Sequence, residues 1–118
     1  MKRICLACDL KENHQLISEY IEAHRPGQVW PEISDSIRQS GITDMEIYLV
    51  GNRMFMIIEA EDDFELNKKA KMDKENSMVQ EWEELMWKYQ QSLPWAEPGE
   101  KWLVTERIFK LDPPIDQK

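Results

Sequence analysis

The chain has 118 residues, 42% of them hydrophobic, which is enough for one packed core and too apolar for a disordered segment. Its 23 acids against 15 bases leave a net charge of -8; this excludes the basic footprint of a nucleic-acid binder, disfavours a phosphorylated ligand, and otherwise reads as a solvated surface. No apolar run approaches the roughly 20 residues of a membrane span, and the basic, briefly apolar start runs straight into Asp9 and Lys11-Glu12 with no cleavage region, so no membrane partner and no secretory signal are expected and the location is expected to be cytoplasmic.

In chain order, residues 3 to 9 read as a first strand. Asn13 to His24 reads as a helix: Leu16, Ile17, Tyr20, Ile21 and His24 fall at helical spacing on one side, while Glu19 and Glu22 point away. Pro26-Gly27 ends it. Pro31 fits the first position of a second helix, Ile33 and Ile37 supply its buried stripe, and Gly41 closes it. Thr43 to Val50 alternates as a strand, Gly51-Asn52 is a two-residue hairpin signal, and Arg53 to Ala60 returns apolar on both faces, the mark of a central strand. The acidic turn Glu61-Asp62-Asp63 leads into a short helix through Lys71. Ser77 with Gln80 resembles a capping box and opens a helix to about Ser92, with Trp82, Leu85, Met86 and Tyr89 on one side; Pro94 stops it. Residues 94 to 100 are a loop, Trp102 to Leu111 a last strand, and the tail from Asp112 to Lys118 is expected to fray.

The order βαββαβ predicts an α+β fold of the ferredoxin-like kind, with one domain over residues 1–111 and four antiparallel strands carrying helices on one face. The central strands are apolar on both sides, so a second subunit is expected to cover the other face.

Few residues carry chemistry. Cys5 and Cys8 form a lone C-x-x-C on a strand, where residues three apart face opposite ways; with no second pair they read as structural cysteines, not as a redox or zinc motif. His14 sits among polar residues near a helix start and reads as solvated. Two histidines ten residues apart make no metal site, and there is neither a glycine-rich phosphate loop nor a nucleophile signature. That leaves Tyr20 and His24, one helical turn apart on an inward face. A helix C-terminus favours the imidazolium and burial opposes it, which can hold the pKa of His24 where a proton shuttle works. The alternative is a satisfied core histidine. The five tryptophans are explained by packing or by platforms for apolar sugar faces.

Tyr20-x-x-x-His24, then Val29-Trp30-Pro31-Glu32-Ile33, the Ile47-Tyr48-Leu49 strand and Trp87-Lys88-Tyr89 resemble, in order over about residues 2 to 111, the L-rhamnose mutarotase family. The resemblance implies a cytosolic, homodimeric α+β barrel without cofactor or metal that interconverts the α and β anomers of a 6-deoxy monosaccharide. By that resemblance His24 takes the place of the proton donor, and Tyr20 and Trp87 take substrate-contacting places. The segment from Arg25 to Val29 is longer than in typical members, Met45 stands where the family has a substrate-contacting tyrosine, and Met86-Trp87 stands where it has a tryptophan pair. The family resemblance makes L-rhamnose the expected substrate; the Pro-Gly insertion resembles a branch described as L-fucose mutarotase type 2, so L-fucose stays open as the alternative.

Anomer exchange needs a base at the anomeric hydroxyl and an acid at the ring oxygen, and no oxidant. On this reading His24 is the acid, Tyr20 hydrogen-bonds the sugar and can relay the proton, and Trp87 packs on an apolar sugar face. Trp30 and Tyr89 are wall candidates, and Glu46 or Glu59 is a candidate partner base. Two other classes fit the same fold: a cofactor-independent monooxygenase-like barrel, and a non-catalytic sugar-binding module.

Overall fold

The structure, a computed structural model, describes residues 1–112. Its elements are β1 (Lys2–Leu10), α1 (His14–Ala23), α2 (Pro31–Gln39), β2 (Ile42–Val50), β3 (Arg53–Ala60), α3 (Leu66–Lys74), α4 (Ser77–Met86), β4 (Gln90–Gln91) and β5 (Leu103–Val104). Every strand pair is antiparallel, and the spatial order is β2-β3-β1-β4 with β5 also on β1. This is the expected α+β, ferredoxin-like sheet, with β3 central as its two apolar faces require.

Local chemistry explains where the elements start and stop. The Asn13 side chain accepts from Leu16 N at 3.0 Å and caps α1, a bond worth about 1 kcal/mol. Pro31 opens α2, where a missing N–H costs nothing. Between β2 and β3, Val50 pairs with Arg53. The first loop residue, Gly51, has φ +59°, as a type II′ hairpin turn demands of its first central position. Asn52 ties this turn to β1, donating from Nδ2 to Leu10 O at 2.9 Å.

The inner sheet face carries Leu6, Cys8 and Leu10 of β1 and Met54, Ile58 and Ala60 of β3, all buried against the helices. Full burial of side chains such as Leu10 and Met54 contributes about 1.5–3 kcal/mol each. Free Cys8 is buried, and burial pushes its thiol pKa up to about 12; Cys5, three residues away, faces the other side, so the structural reading of the cysteines holds. His14 is exposed at the start of α1, as expected.

Five expectations need correction. The cap of α4 is Asn76, whose side chain accepts from Met78 N and Val79 N, and not Ser77. The helix α4 ends at Met86 instead of near Ser92. Past a turn, Gln90 and Gln91 pair with Leu10 and Asp9, and Lys11 N donates to Tyr89 O at 2.8 Å; the unpaired edge of β1 outcompetes helix propensity there. The last strand spans only Leu103–Val104 instead of residues 102 to 111. It shares the β1 edge with β4, Thr105 still bonds Cys5 O through both N and Oγ1, and beyond it residues 106–112 lie exposed with no strand beside them. Finally, Ile21 is exposed rather than buried with Tyr20, and α3 runs to Lys74 rather than Lys71. The expected frayed tail falls, from residue 113 on, outside the described residues.

Candidate active site

Between the inner sheet face and the helices lies a cavity of about 900 Å³. Helix α1 brings two side chains to it, Tyr20 from its last turn and His24 from its C-cap. The rings stack with centroids 4.1 Å apart at 30°. His24 Nδ1 lies 2.7 Å from the backbone oxygen of Tyr20. A carbonyl only accepts, so Nδ1 carries the proton and donates; Nε2 is then the free nitrogen, a lone pair. Burial lowers the His24 pKa below its ordinary 6.5, and the bond to Tyr20 opposes this more weakly. The helix C-terminus does not outweigh desolvation here, and near neutral pH the ring is uncharged.

Tyr20 is buried, and its hydroxyl oxygen accepts from Gln90 Nε2 at 3.2 Å. Burial raises the phenol pKa far above its usual value of 10, with the Gln90 bond opposing. Tyr20 therefore keeps its proton and has an O–H to donate.

The indole beside the imidazole is Trp82 of α4, at 5.6 Å and 69° to the His24 ring. Helical spacing puts Trp82 on the packed stripe of α4, and the family resemblance assigns Trp87 to the sugar. Trp87 does line the cavity, further along, with Lys101 Nζ 4.8 Å above its ring. Met86 lines it too, as a buried core side chain. Trp30 instead stands behind Trp82, edge to face at 5.1 Å, and Tyr89 meets Tyr20 edge-on at 6.0 Å; neither is among the cavity-lining residues. Met45 lines the wall with Ile47 and Met56.

Neither proposed partner base reaches this space. Glu46 and Glu59 sit on the outer sheet face, where Glu46 accepts from Tyr48 Oη at 3.2 Å and Glu59 pairs with Arg3 at 2.8 Å. An acid that does line the cavity is Glu83, which sequence reading passed over. Lys101 Nζ donates to its carboxylate at 2.6 Å and to its backbone oxygen at 2.9 Å. The Lys101 side chain is only 9% exposed. A buried ammonium persists only when paired in this way, and the pair sets opposite charges beside Trp87 in the cavity wall.

The arrangement offers a base (Nε2), a neutral hydroxyl donor (Tyr20), indole walls and a charged pair. It suits proton transfer on a small neutral molecule rich in hydroxyls. Comparisons with known proteins agree. The profile of the L-rhamnose mutarotase family matches residues 3–111. An L-fucose mutarotase of Xanthomonas campestris pv. campestris is 41% identical over 111 residues, covering 94% of this chain and 89% of that protein. A UPF0734 protein of Dictyostelium discoideum is 33% identical over 117 residues, covering 94% and 90%. Among solved structures, an L-rhamnose mutarotase from Formosa agariphila superposes with a TM-score of 0.68 at 20% identity, covering 95% of this chain and all of that one. Tetracenomycin F2 cyclase from Streptomyces glaucescens, a type-II polyketide cyclase, gives 0.61 at 14%, covering 97% and all of that chain. At such identities the two structures speak to the fold alone.

Proposed function

The chain belongs to the L-rhamnose mutarotase family, and from that premise we propose that it is an isomerase exchanging the α and β anomers of a 6-deoxy sugar, with L-fucose placed first and L-rhamnose second. The order of sugars follows the relative at 41% identity, an L-fucose mutarotase. The observation that carries the chemistry is the 2.7 Å contact of His24 Nδ1 with Tyr20 O, which leaves Nε2 as the free base of a ring lining the cavity.

Nε2 takes the proton of the anomeric hydroxyl. The bond from the anomeric carbon to the ring oxygen breaks, the former hydroxyl oxygen becomes the aldehyde, and the ring oxygen takes the proton back from the imidazolium. The two oxygens hang on one carbon, so one imidazole serves both. The aldehyde turns about its bond to the next carbon, and the ring recloses by the reverse steps. Protons and electrons balance, and nothing is oxidised. Tyr20 donates a hydrogen bond to the sugar without surrendering its proton, so it holds the substrate and is not the relay. Trp82 and Trp87 face the apolar side of the sugar, and Met45, Ile47 and Met56 suit its methyl group. One positioned acid–base group contributes roughly 10²–10⁴-fold, enough for a reaction that already runs slowly in water.

The proposal extends to a cytoplasmic homodimer. No described helix is long and apolar enough to cross a membrane. Tyr48 and Val50 on the outer sheet face are exposed, as are Ile108, Phe109 and Leu111 beyond β5, and a second copy is the cover these apolar groups suit. Saturation-transfer NMR on L-fucose and L-rhamnose tests the activity. Faster anomer exchange of either sugar on adding the protein supports it. Binding seen as thermal stabilisation without exchange makes the protein a sugar-binding module instead.

A further inference from the structure

One polar group of the cavity has no part in this mechanism. Gln90 is 2% exposed and lines the cavity from β4. Its Nε2 donates to the Tyr20 hydroxyl at 3.2 Å. Its Oε1 has no partner at all, and among the described residues it is the one buried side-chain nitrogen or oxygen in that condition.

An unpaired buried amide oxygen loses its hydration with nothing in return, and a methionine of similar shape would avoid that loss. Turning the amide over about its last torsion, which is broad and two-fold, lets Tyr20 donate to Oε1 but strands the amide hydrogens instead. Folding therefore leaves position 90 with a hydrogen-bonding atom it does not satisfy. The neighbouring charged pair has no such deficit, since Lys101 and Glu83 satisfy one another.

The two groups together define their missing partner. The Tyr20 oxygen is already occupied by Gln90 Nε2, so its O–H is free to donate; Gln90 Oε1 is free to accept. A ligand group that accepts one bond and donates another is a hydroxyl; an ether oxygen only accepts, and a methyl does neither. We infer that Gln90, with Tyr20, reads one ring hydroxyl of the sugar and is a specificity-determining residue. The inference rests on the sugar reading above and adds to it the residue that discriminates between sugars.

The test is Gln90→Met against L-fucose, L-rhamnose and analogues of each lacking one ring hydroxyl. Exchange gives kcat and KM, and sugar-dependent thermal stabilisation gives binding. A hydroxyl bonded to Gln90 predicts a KM raised roughly tenfold for the parent sugar, a smaller change in kcat, and no further loss for the one analogue that lacks that hydroxyl. An equal loss on every analogue means Gln90 only shapes the cavity, and no loss on any means it contacts nothing; either overturns the inference. Selective loss in binding, with no exchange by the wild type, supports Gln90 while sinking the mutarotase reading. Gln90→Asn, which keeps the amide but withdraws it, replaces Gln90→Met if that variant fails to fold.

Discussion

The inner face of the sheet buries Cys8, Met54 and Ile58 beneath helices and borders the cavity that holds His24. The outer face of the same strands carries Tyr48, Val50 and the half-buried Phe55 and Ile57 with no helix over them. Strand alternation makes the two surfaces from one sequence, residue by residue. Polar atoms are treated differently on each. Outside, Arg53 grips Asp9 with two bonds, at 2.8 and 3.1 Å, and lies 5.3 Å from the centre of the Trp95 ring. Inside, a ring nitrogen and an amide oxygen are left free. On the proposed reading, the outer face meets a second copy with its charges already satisfied, whereas the inner face keeps hydrogen bonds in reserve for a substrate.

Substitutions that strike one face should spare the other. His24→Ala has the largest expected effect: a loss of roughly 10²–10⁴-fold in exchange, measured by saturation-transfer NMR, with assembly state and circular dichroism unchanged. Equal rates in a folded variant would remove His24 from the reaction. Ile57→Lys on the outer face should do the reverse. Sedimentation should show self-association weakened at least about 30-fold, as for loss of one buried apolar anchor worth about 2 kcal/mol, while exchange per folded chain stays within a few-fold. Unchanged sedimentation would place the partner surface elsewhere. Tyr20→Phe is the gentlest: kcat/KM should drop about tenfold for one lost hydrogen bond, and the unpaired Gln90 amide should cost about 1–2 kcal/mol of stability in urea unfolding. A more stable variant would contradict the Tyr20–Gln90 bond.

The two faces also differed in how plainly the sequence announced them. Alternation in Thr43 to Val50 and the doubly apolar run from Arg53 to Ala60 mark the sheet and its centre, because period-two burial is a local signal. Tyr20 and His24 are legible for the same reason, one turn apart on one helix. Gln90 was hidden by the misplaced end of α4: inside a helix it would read as an ordinary polar position, and only its pairing with Leu10, far away in the chain, buries it. Glu83 follows a buried tryptophan and reads as solvated surface until Lys101, eighteen residues on, comes to meet it. Trp82 was recognised as buried, but burial against core and burial against a cavity leave the same periodic mark. The short β5 could not be foreseen either, since the strand pattern continues past the point where β1 stops offering a partner.

The lowered pKa of His24 bears on stability as well as rate. A base whose folded pKa is depressed binds protons more readily when unfolded, so its contribution is complete above about 6.5 and is lost as pH falls through the window beneath that value. The same window governs the chemistry, because only the neutral ring offers Nε2.

The measurement that bears most directly on the account is therefore the pH profile of enzyme-catalysed exchange, as kcat/KM with the spontaneous rate subtracted. A free imidazole nitrogen acting as base predicts a plateau at and above neutrality and a tenfold fall per pH unit below a midpoint under about 6.5, with that limb absent in His24→Ala. A rate that climbs as the solution is acidified would mean that the ring works from its charged form, contradicting the assignment of its single proton to Nδ1.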